Sequence, residues 1–449
     1  MKKNKKLVWN CWNQMKVYLD KFYTEVEQAE GVFVKESNGK KHIDANSGLW
    51  NMPLGHFNDR VVKVIEEQYR TLDFSSLMTT THKPALVLAE KLVELTHGNY
   101  SSVFYTNSGS ESSDTALKMA RGYFFNQGKP GKHIILYLKD GYHGSTYGAL
   151  SACGIEEDRR KFFPLVGGFE EVHSGNPVYN SENLNEADWL QKLKDDFDQQ
   201  LLEIGTENIA AFIYEPIQGS EGVYRIEQNY FDYIVSKCRE NDILLICDEI
   251  ATGIGRTGQM FASETNGVFP DIMLLSKGLS GGFFPLGAVL VTEKIFDAFY
   301  GEINECVEFV HGFTTSGHPV GCAAAIEVLN ILEEENYTER VRELSQQFQD
   351  QLYDYLAESP LIYDIQIHGL MIGFRIRQFP KNALMIGNWS PSMIFTNLLK
   401  TKNVFSHAAG ENAVVLMPPF TLLDEECTTI CHKIKSVDKT LRKIIEKSN

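Results

Sequence analysis

Two apolar runs in this chain each end in a charged side chain, and the two charges are opposite. Asp248 closes ILLICD (243–248), and Lys277 closes DIMLLSK (271–277) just before the glycine-rich stretch GLSGG. Short apolar runs bounded by polar and glycine residues read as buried strands, so both charges belong at strand ends. Most lysines are solvated surface charges. One that ends an apolar run and enters a glycine stretch is a candidate for a desolvated amine, whose lowered pKa makes it nucleophilic. An amine for a Schiff base and a carboxylate that keeps a ring nitrogen protonated are the pair that pyridoxal phosphate requires of its protein. The acid matters as much as the amine, because the protonated ring is the electron sink.

Other motifs are weaker when taken singly. In TNSGSESSDTALKMARGY (106–123), Ser108, Gly109 and Ser110 precede a helical pattern. The free N–H groups and positive end of a helix dipole would hold a phosphate there, and serine is equally a favoured N-cap. GYHG (141–144) puts Tyr142 and His143 between glycines at a strand end. Tyr142 could stack on a flat cofactor ring or be a packed surface aromatic. GIGRTG (253–258) matches a dinucleotide fingerprint in letters only. It is separated from its strand, and QMFASE makes a poor start for the required helix. His311 and His318 flank a loop rich in Gly and Thr and lack metal-ligand spacing.

These residues need a scaffold. From about 100 to 300 the pattern is strand, loop, helix, repeated: SVFYT, HIILYL, IAAFIY, ILLICD and DIMLL alternate with helical stretches. This predicts an α/β fold with a mostly parallel central sheet, and such sheets gather chemistry at the carboxyl ends of their strands. VFVKESNGKKHIDA (32–45) predicts a hairpin turned by Asn38-Gly39. Helical spacing marks 60–72 and 83–96, and residues 1–30 also read as helical. A long charged helix from about 325, then LMIGFRI (370–376) and AVVLMPPF (413–420), predict a smaller α+β domain. The expected division is 1–60 as an N-terminal segment contributing to the small domain, 61–325 as the large domain, and 326–449 as the C-terminal small domain.

The chain has 449 residues, 43% hydrophobic and 23% charged, in the range of an ordinary globular protein. A net charge of −16 disfavours nucleic acid and anionic membranes as partners. The eight cysteines are scattered, with only Cys427 and Cys431 one helical turn apart. They read as reduced thiols of a cytoplasmic protein. The basic N-terminus lacks an apolar core, so it does not read as a signal peptide, and no apolar stretch reaches membrane-spanning length.

Taken together, NSGSESSDT, DGYHGST, YEPIQG, CDEIATGIGRTG, LLSKGLSGGFFPLGA and HGFTTSGHPVGCAAA resemble the class III (omega) aminotransferases. The resemblance runs from SGLWN (47–51) to LMPPF (416–420), nearly the whole chain. It implies a fold type I pyridoxal-phosphate-dependent transferase. It also implies that Lys277 is the Schiff-base lysine, Asp248 the pyridine-nitrogen partner, Gly109 and Ser110 phosphate ligands, and Tyr142 the stacking aromatic. Glu215 of YEPIQG would lie near the cofactor. Thr314 of HGFTT would reach the phosphate of a neighbouring subunit, so a homodimer is implied. Trp50 would form a wall of the substrate pocket.

Two departures bear on substrate. Many members of the family carry an arginine about ten residues before the Pro-Pro pair, where it grips a carboxylate. Here VFSHAAGENAVVLMPPF has Ala408 at that spacing, with His407 beside it as a weaker carboxylate binder. Ser220 stands where ornithine- and GABA-type relatives often have Glu. The expected activity is ping-pong transfer of an amino group from a primary amine, or a β- or ω-amino acid, to an oxo acid such as pyruvate. An epimerase, aminomutase or phospho-lyase would use the same lysine. A non-catalytic binding or regulatory protein would require a missing catalytic residue or an appended DNA-binding domain, and the sequence shows neither.

Overall fold

The structure is a computed structural model, and it describes residues 7–379 and 389–446. Its centre is a seven-stranded sheet. Across it the order is Ser102–Thr106, Gly287–Val291, Ile272–Leu275, Leu244–Asp248, Ile209–Tyr214, Ile134–Leu138 and Phe169–Val172. Only Gly287–Val291 runs against the others. The middle strands are buried along their whole length, as expected of strands covered on both faces.

The alternation of side chains across the pleat decides which way the chemistry points. Leu244 and Ile246 pack with Ala116, Ala120 and Phe124 of the helix Gly109–Asn126. Leu245 and Cys247 face the other way, toward Phe197 and Ile234 of the helices Glu186–Ile204 and Gln228–Glu240. Asp248 shares the parity of Leu244 and Ile246, so it emerges on the face covered by Gly109–Asn126. It sits directly opposite Leu274 on the next strand, three residues before Lys277.

Two four-stranded sheets flank this core. The hairpin Phe33–Glu36/Lys41–Asp44 forms as its turn residues predict, with Gly39 at φ 87°. Its outer strand is extended by Val404–Phe405, nearly the whole chain away. Met371–Ile376 lies between Ile362–His368 and Ala413–Leu416, which also pairs with His407–Ala409. Val32, Ile43 and Leu54 share one continuous apolar core with Phe395, Leu422 and Leu441, and with Leu275 and Leu290 of the central sheet. The N- and C-terminal portions are thereby tied together and pressed onto the sheet.

Three readings are corrected. Among the described residues before Gly31, the helical part is only Met15–Val17 and Tyr18–Phe22, and Val26–Glu30 is a strand. VEQAE favours helix by composition, but backbone pairing with Phe33–Glu36 overrides propensity. The charged helical stretch after 325 is two helices, Pro319–Glu334 and Tyr337–Ala357, separated at Asn336, whose φ of 51° ends the first. The strands Phe169–Val172 and Gly287–Val291 add to the predicted set. The first is short and charged, and the second follows directly on the glycine stretch.

Candidate active site

Lys277 and Asp248 come together at the carboxyl ends of adjacent parallel strands. Lys277 has φ 41°, a left-handed conformation uncommon outside glycine. Burial pushes its amine pKa down, Asp248 and Glu215 push it back up, and Arg256 adds a smaller lowering. Its Nζ stands 4.9 Å from the centre of the Trp50 ring.

Asp248 is 3% exposed. Its Oδ2 lies 2.7 Å from His143 Nδ1, and its Oδ1 accepts from the Ile250 N–H at 3.0 Å. This arrangement assigns a proton to Nδ1. His143 is buried as well, and its Nε2 has no partner among the described residues. The reading from sequence gave His143 no role. The histidine was visible between its glycines, but nothing local announces an acid 105 residues further on.

The loop carrying His143 also carries Tyr142, whose backbone N–H donates to Glu215 Oε1 at 2.9 Å. The other oxygen of Glu215 accepts from the Gly219 N–H at 3.2 Å. Gly219 lies under the Trp50 ring, so a Cβ there would sit 3.3 Å from it. One carboxylate thus ties the Tyr142 loop to the floor beneath Trp50. Burial raises the Glu215 pKa to about 7. The Tyr142 hydroxyl bonds Ser145 at 3.0 Å and is pushed up to about 12 by burial. Its ring meets Trp12 edge-on at 5.9 Å.

Gly109 and Ser110 open the helix Gly109–Asn126, with Ser108 as N-cap accepting from the Glu111 N–H. The cap leaves room for an anion, since a helix start has several N–H groups without helical partners. A Cβ on Gly109 would come within 2.9 Å of Ile250, and one on Gly144 within 2.7 Å of Ser110 Oγ. Ser110 Oγ accepts from the Ser145 N–H at 3.0 Å. The cradle is therefore built by close backbone approach of the loops 107–110 and 141–145. Thr314 is exposed, and its neighbour Thr315 donates to Asn107 Oδ1 at 2.7 Å, at the edge of this cradle. His311 bonds Thr115 and Lys118 on the same helix at 2.9 Å each, and His318 caps the helix Pro319–Glu334.

Trp50 is held by Asn46, whose Oδ1 accepts from the indole Nε1 at 2.9 Å. His407 stands edge-on to it at 5.3 Å. Burial, with a smaller contribution from Lys277, lowers the His407 pKa to about 4, so it is neutral at pH 7. The GIGRTG motif opens no dinucleotide helix. Its glycines at 255 and 258 have φ 85°, and Arg256 turns inward, its Nη1 bonding the carbonyls of Pro418 at 2.5 Å and Leu370 at 3.5 Å.

A recessed amine, a buried carboxylate clamped by histidine, an anion cradle at a helix start and an aromatic on the loop between them fit pyridoxal phosphate. On a mostly parallel α/β sheet they define a fold type I pyridoxal-phosphate enzyme. The sequence profile "Aminotransferase class-III" matches residues 15–437. Vanillin aminotransferase of Capsicum annuum is 37% identical over 410 residues, covering 89% of this chain and 88% of the relative. Gamma aminobutyrate transaminase 2 of Solanum lycopersicum is 34% identical, covering 93% of each. The omega transaminase of Pseudomonas jessenii in complex with PMP superposes with a TM-score of 0.93 at 32% identity, covering 100% of this chain and 99% of that one. An amine transaminase from an uncultivated Pseudomonas species, in its PLP-bound form, gives 0.90 at 28%, covering 97% and 98%. The chain belongs to the class III aminotransferases and is a pyridoxal-phosphate-dependent enzyme.

Two outcomes are expected. Gly144→Ala, at φ 136° and in contact with Ser110, should weaken pyridoxal phosphate binding at least tenfold in a visible-absorbance titration; unchanged affinity would show that the loop approach does not shape the cradle. Glu215, with its native pKa raised to about 7, binds a proton in the folded state that the unfolded chain releases near the ordinary carboxylate value. Its contribution to stability therefore falls as pH rises from about 4.5 to 7 and is unfavourable by about 3 kcal/mol at pH 8. Apo wild type should lose stability relative to Glu215→Gln over that range, measured by urea unfolding; a pH-independent difference would refute the burial effect.

Proposed function

We propose that this aminotransferase takes its amino group from a primary amine, or from an amino acid whose carboxylate lies away from the reacting carbon. It passes the group to an oxo acid, pyruvate by preference, in a ping-pong cycle. The observation that carries the donor reading is the chemistry of the wall facing Lys277. Strand His407–Ala409 offers a neutral imidazole and Ala409 beside the Trp50 indole. Such a wall suits an apolar substituent and has no guanidinium fork for a carboxylate. Two buried arginines of the same region are tied to protein partners. Arg256 bonds main-chain carbonyls, and Arg375 bonds Asp364, Asn412 and the Glu221 carbonyl.

Pyridoxal phosphate, when bound, supplies the electron sink. Gly109 and Ser110 would hold its phosphate, Tyr142 its ring face, and Asp248 the proton on its ring nitrogen. His143 keeps Asp248 oriented by donating from Nδ1, so the carboxyl group is presented in a fixed direction at little reorganisation cost. Lys277 would hold the cofactor, and its Nζ would hold and move a proton beside the reacting carbon. Burial lowers its pKa, in the direction that favours an uncharged, proton-accepting amine. Trp50 and Tyr142 orient the donor and exclude water.

The active unit is a homodimer in this reading, with Thr314 reaching the phosphate of the neighbouring subunit from its exposed turn. Residues 61–325 form the cofactor domain, with 1–60 joining the smaller C-terminal part, and the enzyme works in the cytoplasm.

Lys277→Ala should abolish turnover while leaving the fold intact, and a borohydride-reducible cofactor linkage surviving in that variant would exclude the lysine. Asp248→Asn should lower kcat by about a thousandfold or more, a loss of roughly 4 kcal/mol in barrier stabilisation. A near-native kcat with the cofactor site saturated would refute the role. Side-by-side kcat/KM values decide the donor: amines and ω-amino acids should exceed ornithine and glutamate, and the reverse order would overturn the reading.

A further inference from the structure

A second cavity lies behind the wall that carries Trp50 and His407. Its volume is about 610 Å³, within the range of small-molecule sites, and it opens between the N-terminal strands and the helix Pro391–Thr401. Phe22, Val26, Val34 and Phe405 make it mainly apolar. The barrier between this cavity and the candidate active site is thin. Asn46 and Gly48 line the cavity, and the same turn sends Trp50 to within 4.9 Å of Lys277 Nζ. Likewise Phe405 and Ser406 line the cavity, and the next residue, His407, packs on Trp50.

The polar groups of the cavity divide by how far they are satisfied. Asp44 accepts from the N–H groups of Asn46 at 3.1 Å and Gly48 at 2.7 Å and bonds His56 Nε2 at 2.9 Å, so its charge is fully engaged. Lys400 is different. Its ammonium donates to the Phe22 carbonyl and the Thr24 hydroxyl. An ammonium has three donors, and the third has no partner among the described residues. No carboxylate pairs with Lys400 within ion-pair distance there; Glu36 acts on it from farther off, and Lys40, whose Nζ reaches the Lys400 carbonyl at 3.4 Å, acts more weakly with the opposite sign. Ser406 also lines the cavity, and its hydroxyl, turned into the protein, has no partner among the described residues.

We propose that this cavity is a binding site for a small apolar carboxylate, with the anion at Lys400 and the hydrocarbon body against Phe22, Val34 and Phe405, and that its occupancy acts on the donor pocket. The route is short: a ligand touching Asn46 touches the acceptor that holds the Trp50 indole. The second half of the proposal rests on Trp50 being the donor wall, whereas the first half does not.

The test uses the full-length holoenzyme with octanoate as probe and octanol as its uncharged counterpart. Calorimetry should give a submillimolar Kd for octanoate and binding at least tenfold weaker for octanol. Binding should survive when the cofactor is first fixed to the protein by borohydride reduction and the amine site is thereby blocked. Lys400→Met should weaken octanoate at least tenfold while Lys400→Arg retains it. Ala29→Trp, which fills the cavity from an exposed strand position and leaves the lysine in place, should do the same as Lys400→Met. In wild type, octanoate should change KM for an amine donor at least twofold, and in Ala29→Trp it should not. No binding at 10 mM, on the order of a thousandfold weaker than a typical specific site, would overturn the site. So would binding that both cavity variants leave unchanged, or binding lost on cofactor reduction. Binding with an unaltered KM would overturn the coupling to Trp50. Because binding is read without turnover, failure of the donor assignment and failure of this site give different results.

Discussion

The interaction on which the site depends is the buried pair of Asp248 and His143. A carboxyl group at 3% exposure at the end of a buried strand is unfavourable unless its lone pairs are used. His143 Nδ1 and the Ile250 N–H use them. The rest of the site is arranged around that solution. The loop that delivers His143 also delivers Tyr142, and Glu215 holds that loop by the Tyr142 N–H. The backbone at Gly144 then lies against Ser110 at the helix start. Moving any one of these displaces the others, because they share one short stretch of backbone between two glycines.

Around this rigid centre, unusual backbone conformations mark where the chain is bent to serve the pocket. Lys277, Ser47 and Trp50 all have positive φ, at 41°, 45° and 65°. Side chains other than glycine adopt such values at an energetic cost and hold them only where surrounding structure over-determines them. The Ser47 hydroxyl bonds the Met417 carbonyl, and Asp44 bonds the Gly48 N–H, so the turn presenting Trp50 is pinned from both sides. The small sheets exist in this sense to hold one indole over one amine. They bring residues 44–50 and 404–417 together from opposite ends of the chain.

Electrostatics separates the groups by burial and neighbours. Lys277 is lowered, Glu215 is raised to about 7, and His407 is lowered to about 4, all chiefly by desolvation. In a protein with a net charge of −16, the wall formed by Trp50 and His407 is neutral rather than cationic.

Local pattern carried a large share of this architecture. The apolar runs ending at Asp248 and Lys277 are strands, because four or five consecutive buried residues leave few other solutions. The Asn38-Gly39 turn is a hairpin, because its residues tolerate positive φ. The order of motifs along the chain was enough to identify the family. Tertiary structure alone decided the matters that join distant residues. No local feature pairs His143 with Asp248 or makes a strand of VEQAE, where the edge of Phe33–Glu36 overrides helix propensity. None predicts that His407 would be neutral, or that a cavity would lie behind Trp50 with Lys400 at its corner. Residue type and spacing determine which backbone shapes are open to each segment and which side chains can do chemistry. Burial, pKa and the partner of each charge depend on contacts across hundreds of residues, and they come into being only when the chain is packed.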